Sequence, residues 1–96
     1  MRPSQALAIH RARIREIALD HGFTDVRVFG SANSGQDTSE SDLDLLVEPT
    51  ARTTLMDIGA IRLELKQLLG IEVDVLTPNA LPDRYRAEVL KAARPV

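Results

Sequence analysis

The spacing of apolar positions changes along this chain, and each change marks an element. From Ser4 to about Asp20, Leu7, His10, Ile14, Ile17 and His21 share one face at helical spacing, and Pro3 or Ser4 can open the helix. Gly22 is placed to stop it. Val26 and Val28 then alternate with Arg27 and Phe29, which is the period of a strand. Gly30 breaks that strand, and the small polar residues from Ser31 to Ser41 predict a loop. Leu43, Leu45 and Val47 alternate with Asp42, Asp44, Leu46 and Glu48 in a second strand. Thr53 or Thr54 can cap a second helix running to Leu69, with Leu55, Ile58, Ile61, Leu65, Leu68 and Leu69 as its buried stripe. Met56, Ala60 and Leu63 form a second apolar patch, read as extra width of the stripe rather than as a partner surface. Gly70 ends the helix. Ile71, Val73 and Val75 alternate with Glu72, Asp74 and Leu76 in a third strand closed by Pro78, and a last helix from about Pro82 to Ala93 carries Leu81, Tyr85, Val89 and Ala93 on one side.

The order helix, strand, loop, strand, helix, strand, helix predicts an α/β (α+β) chain: a small mixed β-sheet with helices packed on one face and a more open second face. Val26, Val28, Leu43, Leu45, Val47, Ile71, Val73 and Val75 should meet the helices. Asp42, Asp44 and Asp74 should all point to the open side, because successive side chains on a strand alternate.

Length and composition narrow the function. With 96 residues and no linker or repeat, the expectation is a single domain over 1–96, too short for a second substrate-binding domain. The aromatics are Phe23, Phe29 and Tyr85 alone, and the net charge is −2, so neither stacking nor a basic footprint points to nucleic acid. The chain has no cysteine, which removes disulfides, thiolate chemistry and cysteine zinc sites. No apolar run reaches membrane-spanning length, and charged residues interrupt any signal-peptide core, so the expected location is cytoplasmic. Arg2, Arg11, Arg13 and Arg15 read as a solvated helix face. His10, His21 and Tyr85 read as structural.

The stretch from Val26 to Glu48 carries the candidate chemistry. Gly30 and Gly35 are spaced as in a P-loop, but Gln36 and Asp37 stand where that motif needs Lys and Ser or Thr. An EF-hand loop fails too, since Asp42 occupies its glycine position and a strand follows instead of a helix. Two carboxylates, Asp42 and Asp44, instead open a buried strand beside a glycine turn. Asp74 brings a third to the same face. Gathering three carboxylates raises the pKa of at least one unless a cation compensates, so the arrangement suits a divalent metal and the phosphates it neutralises.

Gly30-Ser31, ten residues, then Asp42-Leu43-Asp44 resembles the signature of the DNA polymerase β-like nucleotidyltransferase superfamily. The fuller text from Val28 to Val47 and the later run from Leu68 to Pro78 are similar to its minimal members, the MNT-domain antitoxins that accompany HEPN-domain toxins. The resemblance spans about residues 5–93. It implies the minimal nucleotidyltransferase fold and transfer of AMP from ATP to a tyrosine of a HEPN RNase toxin, with two Mg2+ ions. It further implies that Asp42 and Asp44 hold the ions and that Asp74 ligates the one nearest the attacking hydroxyl and helps deprotonate it. Gly30 and Ser31 would hold the triphosphate.

One departure stands out. Relatives of this kind often carry arginine at the loop positions held here by Ala32 and Ser34. Without them, nucleotide affinity falls to the metal, the backbone and Arg27, Arg52 or Lys66. That departure motivates an alternative function: an antitoxin that neutralises by covering its toxin, with a weakened or vestigial site. A third alternative, nucleotidylation of a small molecule such as an aminoglycoside, lacks the second domain it needs.

Overall fold

The computed structural model describes all 96 residues. The elements, in order, are α1 (Pro3–Asp20), β1 (Asp25–Phe29), α2 (Ser31–Ser34), β2 (Leu43–Glu48), α3 (Leu55–Leu69), β3 (Val73–Leu76), a 3-10 turn (Pro78–Ala80), α4 (Asp83–Ala92) and β4 (Arg94–Pro95). The sheet order is β3-β2-β1-β4, with β2–β3 parallel and the other two pairings antiparallel. It is the mixed sheet the alternating pattern predicted, with one strand more.

The two long helices begin and end where local chemistry permits. Pro3 sits in the first turn of α1, where its missing N–H costs nothing. Thr54 opens α3, its N–H donating to Asp57 Oδ2 at 2.7 Å in a capping box. Gly70, at φ +70°, closes α3 in the left-handed region that other residues avoid.

α1 and α3 pack against each other and against one face of the sheet. Ile14, Ile17, Ile61 and Leu65 meet Val26, Val28, Leu43, Leu45, Val47, Val73 and Val75 there in one continuous aliphatic core. Every strand residue assigned to that face is buried except Ile71, which is half-buried and precedes β3. His21 Nε2 lies 2.6 Å from Glu64 Oε2 and ties α1 to α3. It is structural, as its helix-face position suggested.

The other face is less open than the alternation predicted. β3 and β4 are parallel and lie at opposite edges, so the chain must cross the whole sheet between them. The step from β2 to β3 moves one way with α3 on the core face. The step from β3 to β4 moves the other way and carries the 3-10 turn and α4. Leu46, which points to that face, is only 1% exposed yet lies outside the main core. The 3-10 turn lies against β2, and Leu81 is buried outside the main core as well. α1 and α3 pack on one face as the pattern predicts, and the polar side of the sheet is partly covered by the 3-10 turn that leads into α4.

α4 has no buried residue; on the side predicted to be apolar, Leu81 just before it is buried and Val89 and Ala93 are half-buried, while Tyr85 is exposed. Polar contacts hold its ends instead. The Arg86 guanidinium donates to the carbonyls of Pro78, Asn79 and Leu81, and Asn33 Nδ2 donates to Ala92 O at 2.8 Å. The sequence pattern also puts Leu55 in the buried stripe of α3 and Met56, Ala60 and Leu63 in its extra width, but all four are exposed, on the side of the helix turned from the buried Ile61, Leu65 and Leu69.

Candidate active site

The site sits where β1 ends and β2 begins. Gly30 leaves β1 at φ +73° and opens the single turn α2, in the stretch read from sequence as loop. A Cβ at Gly30 would overlap Asp44 Oδ2 and come within 3.2 Å of its Cγ. Glycine is therefore required twice: for the backbone angle and for the space the carboxylate fills. The N–H groups of Asn33 and Ser34 both bond to Gly30 O. Those of Ser31 and Ala32 come before the first intrahelical bond and remain available to an acceptor.

Asp44 and Asp74 are register partners across the parallel β2–β3 pair. Parallel partners project from the same face, so the two carboxylates stand side by side although they are far apart in sequence. Burial pushes the Asp44 pKa up to about 6, and the charge of Asp74, a proton shared with Asp74 and the charge of Asp42 push in the same direction. Asp42 lies just before β2 and is exposed. Asp44 and Asp74 form a close pair, whereas no three acidic or histidine side chains gather tightly enough to enclose an ion by themselves. The donor set still fits a hard divalent cation. It is all carboxylate oxygen, its charges repel without a counterion, and Mg2+ takes few protein ligands and fills the remainder with phosphate and water.

The loop between the glycine turn and Asp42 is anchored by a residue the sequence did not single out. Asp37 is 5% exposed, and its Oδ2 accepts the Ser4 N–H at the start of α1 at 2.8 Å. That hydrogen bond holds its pKa below the usual carboxylate value, with Arg2 acting in the same sense. Further along, the Thr38 N–H donates to Ser41 Oγ at 2.9 Å and the Ser41 N–H returns to Thr38 O. Asp42 thus follows a loop fixed at both ends.

The three cations proposed to replace the loop arginines separate cleanly. Lys66 Nζ lies 2.6 Å from Glu72 Oε1, so its charge is engaged on the α3 side. Arg52 stands in the turn between β2 and α3. Arg27 alone pairs with an open-face residue, Leu46, one step along the sheet from the Phe29–Asp44 pair. Its Nε is buried with no hydrogen bond, and its nearest carboxylate is Asp25 Oδ2 at 3.4 Å. At the missing-arginine positions, Ala32 is buried in the core and Ser34 is exposed.

The nucleotidyltransferase domain family matches residues 11–96. This chain belongs to that family. The nucleotidyltransferase is 35% identical over 83 residues to MJ0435 of Methanocaldococcus jannaschii, assigned as a protein adenylyltransferase, covering 86% of this chain and 89% of that protein. It is 29% identical over 85 residues to the protein adenylyltransferase MntA of Thermococcus cleftensis, covering 88% and 83% of the two chains. A solved structure assigned as a minimal nucleotidyltransferase matches with a TM-score of 0.87 at 38% identity, over 97% of this chain and 95% of that one. A crystal structure of a toxin–antitoxin with AMP-PNP matches at a TM-score of 0.75 and 17% identity, over 88% of this chain and 69% of that one, a likeness of fold. The nucleotidyltransferase therefore has the fold that the glycine–serine and paired-aspartate spacing implied.

Proposed function

We propose that this nucleotidyltransferase is a protein adenylyltransferase antitoxin that moves AMP from ATP onto a tyrosine hydroxyl of a HEPN RNase toxin. The observation that carries the reading is the pairing of Asp44 with Asp74, in register, on the face where the Gly30 turn opens. The adenylyltransferase names of its relatives and the fold shared with a toxin–antitoxin chain support it.

In this reading Asp42, Asp44 and Asp74 would hold two Mg2+ ions, which would supply neutralisation of the α-phosphate and of the departing pyrophosphate. The chain's own work is positional. The N–H groups following Gly30, with the Ser31 hydroxyl, bind the β- and γ-phosphates. Asp74 takes the proton of the tyrosine hydroxyl as its oxygen bonds to the α-phosphorus and the bond to the pyrophosphate oxygen breaks. The products are AMP-tyrosine and pyrophosphate. The test is the mass of the toxin after incubation with the protein, ATP and Mg2+. A shift by one or more AMP units is expected, and the Asp42→Asn, Asp44→Asn double variant should abolish it.

A second reading rests on Ala32. It is buried in the core, at one of the two loop positions where many members of the family carry an arginine, so that position offers the triphosphate no charge. In this reading the protein neutralises its toxin by covering it. Full rescue of toxin-expressing cells by the same double variant would favour covering; loss of rescue would favour transfer.

A further inference from the structure

α3 turns a ridge of large apolar side chains to solvent. Leu55 is 88% exposed, Met56 84% and Leu63 57%, and Gly59 and Ala60 lie exposed between them. The ridge runs along the side of α3 away from its buried residues Ile61, Leu65 and Leu69. Gly59 is the informative position. It has no left-handed φ, and nothing lies within 4 Å of where its Cβ would be. Neither the backbone angle nor packing within the chain calls for glycine there, and glycine in a helix interior costs about 1 kcal/mol relative to alanine. A bare stretch of helix between exposed large side chains suits the close approach of a second backbone.

We infer that this ridge is the contact between two copies of this chain, with α3 packed antiparallel on α3 about a two-fold axis beside Gly59 and Ala60. The ridge reads nearly alike in both directions from that axis, with Leu55 and Met56 one turn before it and Leu63 one turn after. Antiparallel pairing sets Leu55 and Met56 of each copy against Leu63 of the other, with the small residues together at the centre. A two-fold contact needs this self-complementarity, because residue i of one copy meets j of the other and j meets i. An unrelated partner would not. At the rim, Arg62 and Lys66 share the Glu72 carboxylate at 3.8 and 2.6 Å, which leaves one positive charge per copy, half-exposed to solvent and outside the apolar centre. Specific interfaces bury about 1,000 Å2 or more in total, and a contact built on three large side chains per copy stands at the small end of that class, which points to a dimer that dissociates on dilution. α3 lies on the sheet face away from Asp44 and Asp74, so both sites stay open.

The test is sedimentation of the purified full chain over a dilution series. The mass should rise from one chain towards two, and Leu63→Glu should hold it at one chain with an unchanged circular dichroism spectrum. Gly59→Ala should raise the melting temperature of the dilute monomer while weakening association, which separates folding from pairing. Because the chain has no cysteine, Ala60→Cys gives a single thiol. On mild oxidation it should form a covalent dimer in far higher yield than Arg84→Cys on α4. A wild-type mass of one chain at every concentration, unaltered pairing in Leu63→Glu, or equal cross-linking of the two cysteine variants would each overturn the inference. So would a ridge whose substitution weakened only the binding of a different protein.

Discussion

The Asp44 carboxylate occupies the space that a side chain on Gly30 would need. The residue that turns the chain and the residue at the centre of the carboxylate group are therefore fixed against each other. Gly30→Ala must both adopt φ +73° and displace that carboxylate. Backbone strain of this kind costs about 1–3 kcal/mol. We expect a lower melting temperature and loss of transfer, whereas Gly35→Ala, with nothing within 4 Å of its would-be Cβ, should show the strain alone and keep most of its activity. Thermal melts and the AMP-transfer assay on both variants check this.

The second prediction concerns pH. The folded-state pKa of Asp44 is raised to about 6 from an ordinary 3.8. Between those values the folded chain keeps a proton that the unfolded chain has released. Stability therefore falls as pH rises through that window and stays lower above it. The metal-free protein should melt at lower temperature at pH 7 than near pH 5, and Asp44→Asn should flatten the change. Mg2+ should raise the melting temperature of the wild type at pH 7 and leave that of Asp44→Asn nearly unmoved.

Asp37 predicts the opposite sign. Its pKa is held below 3.8 by the Ser4 N–H, so its contribution is present above that value and is lost as pH falls through the depressed one. Asp37→Ala removes the acceptor at the start of α1, a change worth about 1 kcal/mol at comparable helix caps. We expect Asp37→Asn to recover most of the melting temperature. Urea titrations of the three proteins at neutral and acid pH measure both effects.

Among the cations, Arg27 and Lys66 should separate. Arg27→Gln removes the one candidate placed on the carboxylate face, so the KM for ATP should rise several-fold with a smaller change in kcat. Lys66→Gln breaks the exposed pair with Glu72 and should cost at most about 1 kcal/mol of stability with no change in KM. Steady-state kinetics at fixed Mg2+ distinguishes them; equal effects would remove Arg27 from the site.

The main core and the carboxylate pairing were legible because period-two alternation is unambiguous in a strand with one buried face. Val26, Val28, Leu43, Leu45, Val47, Val73 and Val75 are all buried, and Asp44 and Asp74 both point away from them. What escaped had no such pattern. α2 is a single turn of Ser-Ala-Asn-Ser, whose residues favour loops and caps as readily as helix. β4 is two residues, one of them proline, and exists only because β1 offers it an edge. The clamp of Asp37 on Ser4 joins distant parts of the chain, and a polar residue in a polar loop carries no sign of it. Leu55 and Leu65 are the same residue on one helix, yet Leu55 stands on the side of α3 turned to solvent and Leu65 on the side turned to the core, a difference that a wide apolar stripe conceals.

Parallel strands cannot be joined by a tight turn, so Asp44 meets Asp74 only after α3 has been laid across the sheet. An ion gripped by both carboxylates would accordingly bind the finished crossover and ignore the nascent hairpin of β1 and β2. Magnesium affinity, followed during refolding, would time the closing of that crossover, and an early trace of hairpin formation would be blind to it.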